Sequence, residues 1–371
     1  MHFSSLISYR VSRIPDQLAA MSFTSDLISW YQKNKRDLPF RGIRDPYLIW
    51  VSEVILQQTR MEQGIDYYLR FVSRFPNVQS LAAAGEEEIL RVWQGMGYYS
   101  RARNLHASAI EIVSNLGGEF PQTFEQIRKL KGVGDYSAAS IASLAFDEQQ
   151  AAVDGNVYRF LARYFGYFDE VGSSSGKKRV REKSEILMDK DQPGTFNQAM
   201  IEFGALVCTP QNPSCKSCIF KTSCYAFRHQ VTGEIPAKKR TSAIRNRYLN
   251  YLVITFEDTN GPGVILNKRQ EDDIWKNLYD FPVIETTGRL SLPDMKKTEK
   301  WETIFQGKKP EIVNISEEFK HNLSHQIILA IFYHISLAEP PAQFQLQVPF
   351  KQISSFPLPR LISKYWQKYF R

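Results

Sequence analysis

Cysteine is absent from this 371-residue chain except between residues 208 and 224. No stretch approaches the roughly 20 apolar residues that a membrane-spanning helix needs, and the N-terminus lacks the apolar core and cleavage site of a secretory signal. The chain also has no internal repeat, no low-complexity segment, and no flavin or nicotinamide motif. These absences argue against a membrane or secreted protein and against a nucleotide cofactor. We therefore expect a globular protein in the cytoplasm.

The four cysteines are Cys208, Cys215, Cys218 and Cys224. Only one of their three gaps is short, whereas structural zinc sites usually pair two short Cys-x2-4-Cys knuckles. A cubane cluster instead holds its thiolates at four separated corners. The spacing therefore favours one 4Fe–4S cluster in a loop over residues 208–224, with zinc and two disulfides as the alternatives. Basic residues flank the loop, so we expect the cluster to shape a positively charged surface rather than to perform redox chemistry.

Helical patterns fill residues 22–234. Asp45-Pro46 supplies an N-cap followed by proline, which predicts a helix from Tyr47 to about Met61. Further helices are predicted over 86–94 and from about Ser100. Residues 1–21 are expected to be a disordered extension, either a transit-like peptide or the product of a start assigned too early. We exclude them from the fold.

The pattern changes to a period of two after Pro236. Strands are predicted over 248–255, 263–269 and 325–337, and the last of these places five apolar residues on one face: Ile327, Leu329, Ile331, Tyr333 and Ile335. We thus predict an all-α domain over 22–234, a basic linker over 235–246 and an α+β domain over 247–371.

A glycine hairpin lies between two helical segments at Lys131-Gly132-Val133-Gly134. Exposed backbone amides at a helix N-terminus bind anions, and glycine permits close approach. With a net charge of +8, the chain suits a polyanion partner. We therefore interpret the hairpin as a grip on a DNA backbone phosphate, which carries no sequence information. An ordinary helix–helix turn is the alternative.

Glu53 stands in a context that suits acid–base chemistry. It lies seven residues into its predicted helix, on a face shared with apolar residues such as Ile49 and Leu56. An apolar environment raises the pKa of a carboxyl group toward neutrality, as a general acid requires. The alternative is a surface glutamate on an amphipathic helix.

Asp154 precedes the helical segment that begins near Asn156, so it can serve as an N-cap. Capping would keep this aspartate ionised while Glu53 is neutral. A neutral acid opposite a fixed carboxylate can generate and stabilise an oxocarbenium-like transition state. The sequence alone does not show that the two acids meet.

The cysteine spacing, the hairpin 130–137 and the stretch 153–157 together resemble the helix–hairpin–helix DNA glycosylases of the endonuclease III superfamily. Within it the chain is most similar to the adenine DNA glycosylase (MutY) family, through segments 36–41, 52–59, 95–103 and 197–202. The resemblance spans 22–371. It implies a duplex DNA partner containing adenine opposite 8-oxoguanine, or opposite guanine, and a monomeric enzyme of base excision repair.

The resemblance also implies roles for individual residues. Glu53 would protonate N7 of a flipped adenine, and Asp154 would stabilise the cationic sugar, with Tyr136 and Asn156 supporting both by hydrogen bonds. Bifunctional relatives carry a lysine nucleophile where this chain has Tyr136, and a tyrosine cannot form an imine, so we expect base excision without an efficient lyase step. DNA contacts are expected from a set spread along the chain: Arg36, Arg41, Gln58, Tyr98, Arg101, Lys131, Gly132, Gly134, Ser324 and His325.

Residues 268–282 resemble the C-terminal Nudix-like module of the same family. The acidic box that binds metal in Nudix hydrolases is missing, so the module should recognise rather than hydrolyse. Ser324 and His325 match the family's lesion-reading turn, whereas Leu323 replaces its aromatic residue and Phe40 replaces a usual tryptophan. Two other functions stay open at this point: a bifunctional glycosylase with a lyase step, and a non-catalytic DNA-binding protein.

Overall fold

The computed structural model describes residues 17–237, 244–258, 261–308, 310–323, 325–337, 344 and 346–370. It contains two compact units. The first comprises Met1–Glu53 and Phe120–Lys239, and the second comprises Val54–Glu119 and Arg240–Arg371. The sequence predicts one helical domain over 22–234, whereas the structure groups residues 54–119 with the C-terminal part.

Twelve α-helices, numbered α1 to α12, occur in the described residues before 237. Their bounds are Gln17–Asn34, Pro46–Leu56, Met61–Arg74, Val78–Ala83, Glu86–Val92, Ser100–Asn115, Phe124–Ile127, Asp135–Phe146, Gly155–Phe165, Ser174–Leu187, Pro193–Leu206 and Tyr225–Arg228. The helix α1 begins inside the segment predicted to be a disordered extension. No helix in the described part of the chain is both long and apolar enough to cross a membrane.

Local sequence explains several helix starts in the first unit. Asp45 caps α2 by accepting the backbone N–H of Tyr47 at 2.8 Å, as predicted. The helix ends at Leu56 rather than near Met61, because Gln58 adopts a positive φ of 55°. Ser173 caps α10 in the same way as Asp45 caps α2, through the backbone N–H of Gly176.

The core of the first unit is built mainly from α1, α9 and α11. Phe160 of α9 packs against Phe203 of α11 with ring centroids 4.6 Å apart, and Phe220 of the cysteine loop joins them. Burial of such aromatic side chains is a dominant source of stability. The cysteine loop is thus anchored to the same core that carries α9.

A buried carboxylate links α11 to the segment after α1. Glu202 is 1% exposed and accepts hydrogen bonds from Arg36 Nε at 2.9 Å and Arg41 Nη2 at 3.0 Å. Burial alone would raise the pKa of Glu202, but the hydrogen bonds from Arg36 and the charges of both arginines outweigh it and lower this pKa to about 2. The glutamate therefore stays ionised, with two cations beside it.

The second unit combines α3 to α6 with a mixed sheet. Residues 54–119 belong with the C-terminal part because direct bonds join them: Arg103 Nη1 donates to Lys276 O at 2.9 Å, and Gln94 Nε2 donates to Ser363 Oγ at 2.9 Å. The strands β1 to β9 are Arg245–Asp258, Gly261–Ile265, Asn267–Lys268, Tyr279–Asp280, Val283–Thr286, Glu311–Ile315, Phe319–Asn322, Gln326–Ser336 and Gln347–Pro349. The helices α13 to α15 are Leu292–Met295, Glu299–Phe305 and Arg360–Tyr369.

The main sheet runs in the order β6-β8-β1-β2-β9, with β5 also pairing β1 and β7 also pairing β8. The pair β1–β8 is parallel, from Arg245 opposite Gln326 to Thr255 opposite Ser336, and the other pairs are antiparallel. Since β1 begins at Arg245 and the first unit continues through Ala237, the predicted linker is structured at both ends. Residues 238–243 lie outside the described ones.

Both faces of β8 are covered, which the sequence did not indicate. Tyr333 and Ile335, on the predicted apolar face, pack into a cluster with Trp301 and Phe305 of α14. On the opposite face Phe332 stacks on Tyr365 of α15, with ring centroids 3.9 Å apart. The sheet therefore lies between helices, and β8 is accordingly apolar at nearly every position.

We predict that Glu202→Gln lowers the free energy of unfolding by about 3 kcal/mol at neutral pH, because it leaves two arginines beside a neutral partner. A carboxyl whose folded pKa is depressed stabilises the fold above its unfolded pKa, and this contribution is lost as the pH falls from about 4.5 through about 2. Denaturant titrations at several pH values measure both effects. The exposed Glu182→Gln serves as the control and should change stability by less than about 0.5 kcal/mol; an equal loss in both variants would contradict the prediction.

Candidate active site

The helix α2 carries Glu53, and the helix α8 supplies the polar partners of its carboxyl group. This residue lies on α2, and Ser140 of α8 donates its hydroxyl to Glu53 Oε1 at 2.7 Å. The hydroxyl of Tyr136, one turn earlier on α8, also hydrogen-bonds the carboxyl. Burial raises the pKa of Glu53, and the charge of Asp154 raises it further, while these two hydroxyl groups oppose the rise. The sequence prediction of an elevated pKa agrees with this environment.

Asp154 is the N-cap of α9. Its Oδ1 accepts the backbone N–H groups of Asn156 and Val157, both at 2.8 Å, and its Oδ2 accepts Nδ2 of Asn156 at 2.6 Å. Burial raises the pKa of Asp154, although these hydrogen bonds and the charge of Arg159 oppose the rise. The predicted cap is present, and the predicted support from Asn156 is a direct contact.

The hydrogen-bond partners of Asp154 and Glu53 differ in which protonation state of the acid they can bind. The N–H groups around Asp154 can only donate, so they favour its carboxylate form. The hydroxyls around Glu53 can donate to a carboxylate or accept from a carboxylic acid. The partners of Glu53 therefore suit either protonation state, whereas those of Asp154 suit the carboxylate. Tyr136 keeps its own proton, because burial and the two nearby acids raise its pKa well above 10.

A chain of hydrogen bonds connects Asp154 to the cysteine loop. Asn156 accepts Arg159 Nη2 at 2.9 Å, and Arg159 Nε donates to the carbonyl oxygen of Cys208 at 2.7 Å. Arg159 Nη2 also donates to the carbonyl oxygen of Gly204 at 2.7 Å. A Cβ at Gly204 would lie 2.6 Å from the carbonyl oxygen of Asn156, so only glycine lets α11 approach α9 here. A continuous set of hydrogen bonds therefore joins the cysteine loop to Asp154.

The four cysteines line one cavity, together with aromatic side chains such as Phe160 and Phe220. None of them forms a disulfide, and Arg163 Nη1 donates to Cys208 Sγ at 3.5 Å. Among the described residues, no three His, Cys, Asp or Glu side chains are grouped tightly enough to hold a metal ion. The donor set nevertheless fits an anionic cluster, since four thiols face a common space with an arginine beside them.

The predicted phosphate grip lies between α7 and α8. Gly132 has a φ of 80°, which favours glycine, whereas Gly134 has an ordinary φ and is the N-cap of α8. A Cβ at Gly134 would meet nothing within 4 Å, so the packing of the protein itself does not require glycine there. No side chain caps this helix end. Lys131 is exposed beside it.

Three arginines expected to contact DNA are instead engaged within the protein. Arg36 and Arg41 pair with Glu202 in the first unit. In the second unit, Arg101 Nη1 donates to the carbonyl oxygens of Val54 at 2.8 Å and of Gln57, and its Nη2 donates to that of Gly97 at 3.3 Å. The physical reason is that each guanidinium lies among carboxylate or carbonyl oxygens that burial would leave unpaired. These contacts fix the orientation of the three guanidinium groups, and their expected DNA contacts stay predictions.

Arg101 holds the two turns that carry Gln58 and Tyr98, the residues expected to enter the duplex. Both have positive φ, 55° and 47°, which is uncommon for residues other than glycine. Tyr98 is 41% exposed, and the Arg101 guanidinium lies 5.5 Å from its ring centroid. The two backbone conformations are therefore fixed by one side chain.

An open cleft in the second unit contains the residues of the expected lesion-reading turn. Leu323 and His325 line it, facing Tyr98, Arg103 and Trp275. Ser324 lies outside the described residues. The ring of His321 on β7 is 6.1 Å from that of Trp275. Since Leu323 is not aromatic, Trp275 and Tyr98 provide the aromatic surface of this cleft.

Sequence reasoning missed Ser140, Arg159 and Gly204. Ser140 has a detectable signal, because it lies four residues after Tyr136 on the same helix face. Arg159 likewise lies three residues after Asn156. Gly204 carries no local signal, since its importance comes from the close approach of another helix.

We predict that Tyr136→Phe raises the pKa of Glu53 further, because the change removes a hydrogen-bond donor that favours the carboxylate. A carbon-13 titration of selectively labelled glutamate carboxyls measures this pKa. Tyr158→Phe is the matched control, since its hydroxyl bonds to the carbonyl oxygens of Asp169 and Glu170 and to the side chain of Ser173 rather than to Glu53. An unchanged or lower pKa of Glu53 in Tyr136→Phe would show that the hydroxyl does not stabilise the ionised acid.

Two family models match this chain. Residues 51–188 match the HhH-GPD superfamily of base excision DNA repair proteins, and residues 251–368 match the NUDIX domain. A solved thermostable thymine-DNA glycosylase shares 28% identity with a TM-score of 0.52, covering 57% of this chain and 97% of that one. The predicted helix–hairpin–helix glycosylase domain and the C-terminal Nudix-like domain are thereby confirmed.

Curated relatives with similar sequences are adenine DNA glycosylases. The adenine DNA glycosylase of Mus musculus is 43% identical over 225 residues, which is 58% of this chain and 44% of the mouse protein. The match thus spans less than half the length of that relative. The adenine DNA glycosylase of Buchnera aphidicola (subspecies Baizongia pistaciae) is 32% identical over 312 residues, covering 83% of this chain and 84% of its own. On this extent of similarity, the chain belongs to the adenine DNA glycosylase family.

Proposed function

We propose that this protein is a monofunctional DNA glycosylase that excises adenine opposite 8-oxoguanine, or opposite guanine, in duplex DNA. The observation that supports it best is the pairing of Glu53 with Asp154 in one site, each with partners suited to a different protonation state. Hydrolysis of an N-glycosidic bond is assisted by an acid for the leaving base and a negative charge for the sugar. The relatives named adenine DNA glycosylase support adenine as the base.

The first step is protonation of the flipped base. A base in a duplex stack is out of reach of a side chain, so the adenine leaves the helix before reaction. Glu53 then donates its proton to N7, which makes adenine a better leaving group. The hydroxyls of Ser140 and Tyr136 stay bonded to the carboxyl as it changes charge, because each can act as donor or acceptor.

The second step is stabilisation of the sugar cation. As the N-glycosidic bond breaks, positive charge develops on the deoxyribose, and the carboxylate of Asp154 lies in a fixed position at the N-terminus of α9. Three N–H donors hold that carboxylate in place. Glu53, now ionised, accepts a proton from the water that attacks the sugar, which restores the starting state.

Tyr136 accounts for the absence of an efficient lyase step. An imine with the opened sugar requires an amine nucleophile, and a phenol hydroxyl cannot form one. Because the pKa of Tyr136 is raised well above 10, its hydroxyl acts only as a hydrogen-bond partner at neutral pH.

The cysteine loop and the C-terminal cleft complete the proposal. Cys208, Cys215, Cys218 and Cys224 would hold one 4Fe–4S cluster, which supplies a rigid clasp for the basic loop and no step of the reaction. His325, with Ser324, would bond the altered edge of 8-oxoguanine, and Gln58 and Tyr98 would fill the gap that the flipped adenine leaves. We propose a monomer acting where cellular DNA is found.

We predict that Glu53→Gln and Asp154→Asn each lower the single-turnover rate of adenine excision by a factor of about 100 or more, on a duplex with adenine opposite 8-oxoguanine. Quenched-flow measurement of base release gives the rate. For the wild type, the rate should fall as the pH rises through the pKa of Glu53, because the acid then loses its proton. Undiminished excision by either variant would refute the assignment.

Asp189→Asn is the matched control, because Asp189 also accepts two backbone N–H bonds at a chain turn, from Asp191 and Gln192. It should retain the wild-type rate. Borohydride added during turnover should trap no protein–DNA adduct; a trapped adduct would refute the monofunctional activity.

We predict that His325→Ala weakens binding to a duplex with adenine opposite 8-oxoguanine by up to about tenfold, the magnitude of a lost hydrogen bond, and leaves binding to adenine opposite guanine unchanged. Fluorescence anisotropy in the Asp154→Asn background measures both constants. Asn314→Ala, an exposed change on β6 outside the cleft, is the control. Equal weakening on both duplexes would assign His325 to general DNA contact instead.

A further inference from the structure

Two arginines converge on one exposed carboxylate next to the glycine hairpin. Asp135 is the first residue of α8, directly after Gly134. Arg128 Nε lies 2.6 Å from Asp135 Oδ1, and Arg181 Nη1 lies 3.6 Å from Asp135 Oδ2. The arginines come from different elements, the end of α7 and the middle of α10.

This cluster faces solvent. The side chain of Asp135 is 54% exposed, and those of Arg128 and Arg181 are 52% and 32% exposed. Ion pairs between such exposed groups contribute only about 0–1 kcal/mol to stability. The arrangement is therefore a poor structural device, and its bonds can be exchanged at low cost.

The Arg181 guanidinium is nonetheless oriented. It lies 5.5 Å from the ring centroid of Phe124 and 3.7 Å from Glu185 Oε1, one turn further along α10. A guanidinium fork binds a carboxylate and a phosphate through the same pair of N–H donors. Arg181 presents Nη1 toward Asp135 and Nε toward Glu185, so a phosphate oxygen beside Asp135 would lie within reach of Nη1.

The charge of Asp135 itself opposes DNA. A carboxylate beside a phosphate grip repels the phosphate, although it interacts favourably with the N-terminus of α8 in the free protein. With Glu185 beside Arg181, the two arginines bring the cluster to a net charge of zero. If they bind DNA, Asp135 occupies the place of a phosphate until the duplex arrives.

We propose that Arg128 and Arg181 form a phosphate-binding site for duplex DNA beside the hairpin, in which Asp135 substitutes for the phosphate in the free protein. The site extends the DNA track from the hairpin onto α10. The proposal rests on the proposed function only in taking duplex DNA as the ligand. Arg128 and Arg181 raise the affinity for DNA under this proposal, whereas Asp135 competes with the DNA phosphate and lowers that affinity.

The test is the affinity of the full-length protein for an undamaged duplex across a series of salt concentrations, measured by fluorescence anisotropy. Arg128→Ala and Arg181→Ala should each weaken binding several-fold and lower the slope of log affinity against log salt by about 1. Asp135→Asn should tighten binding several-fold. Arg179→Ala is the matched control, since Arg179 lies on the same helix, is 51% exposed and pairs with Asp169 rather than Asp135; it should bind like wild type.

A double variant separates DNA binding from mere neutralisation of Asp135. If Arg181 contacts a phosphate, Arg181→Ala in the Asp135→Asn background still weakens binding and lowers the salt slope. If Arg181 only neutralises Asp135, the double variant binds as tightly as Asp135→Asn, and the proposal is overturned. Weaker or unchanged binding by Asp135→Asn, with a wild-type melting temperature, overturns it as well. Binding to undamaged DNA is measured without any excision step. A protein that excises no adenine would therefore contradict the proposed function, and the binding measurement would still test the phosphate site.

Discussion

Three N–H groups at the start of α9 converge on the carboxylate of Asp154, and the rest of the site is arranged around that contact. The cap satisfies backbone donors that the helix would otherwise leave unpaired. The same bonds keep a negative charge in one orientation inside a partly buried site. Removing the charge would therefore disturb the start of the helix and, under the proposed mechanism, the stabilisation of the sugar cation. A residue with both roles leaves little freedom for its neighbours: Asn156 bonds it directly, and Gly204 must lack a side chain beside it.

The carboxyl group of Glu53 differs from that of Asp154 in its hydrogen-bond partners. Burial raises the pKa of both acids, so burial does not distinguish them. Their partners do. Fixed N–H donors surround Asp154, whereas rotatable hydroxyls surround Glu53. The partners of Asp154 thus favour its carboxylate form, whereas those of Glu53 suit either protonation state.

The sequence predicted helix caps, but it did not predict the internal partners of several arginines. The helix starts at Asp45-Pro46 and Asp154 were predictable, because a cap is a local feature. The roles of Arg36, Arg41 and Arg101 were not, because their partners lie elsewhere in the chain: Glu202 for two of them, and carbonyls of the turn after α2 for the third. The predicted DNA contacts of these three arginines stay predictions, whereas their internal bonds are features of the fold. The early end of α2 has the same cause, since the positive φ of Gln58 belongs to a turn that Arg101 holds.

The sequence by itself determined which chemical groups are present: two acids in helical contexts, a tyrosine in place of a nucleophilic lysine, a two-glycine hairpin and four clustered cysteines. It also determined the change from helices to strands, because hydrophobic periodicity is local. Only the tertiary structure decided which groups meet. It joined Ser140 to Glu53, connected Cys208 through Arg159 to Asn156, and placed residues 54–119 in the same unit as the sheet. Burial and charge pairing depend on residues far apart in the chain, so the protonation of the acids and the use of each arginine follow from the fold.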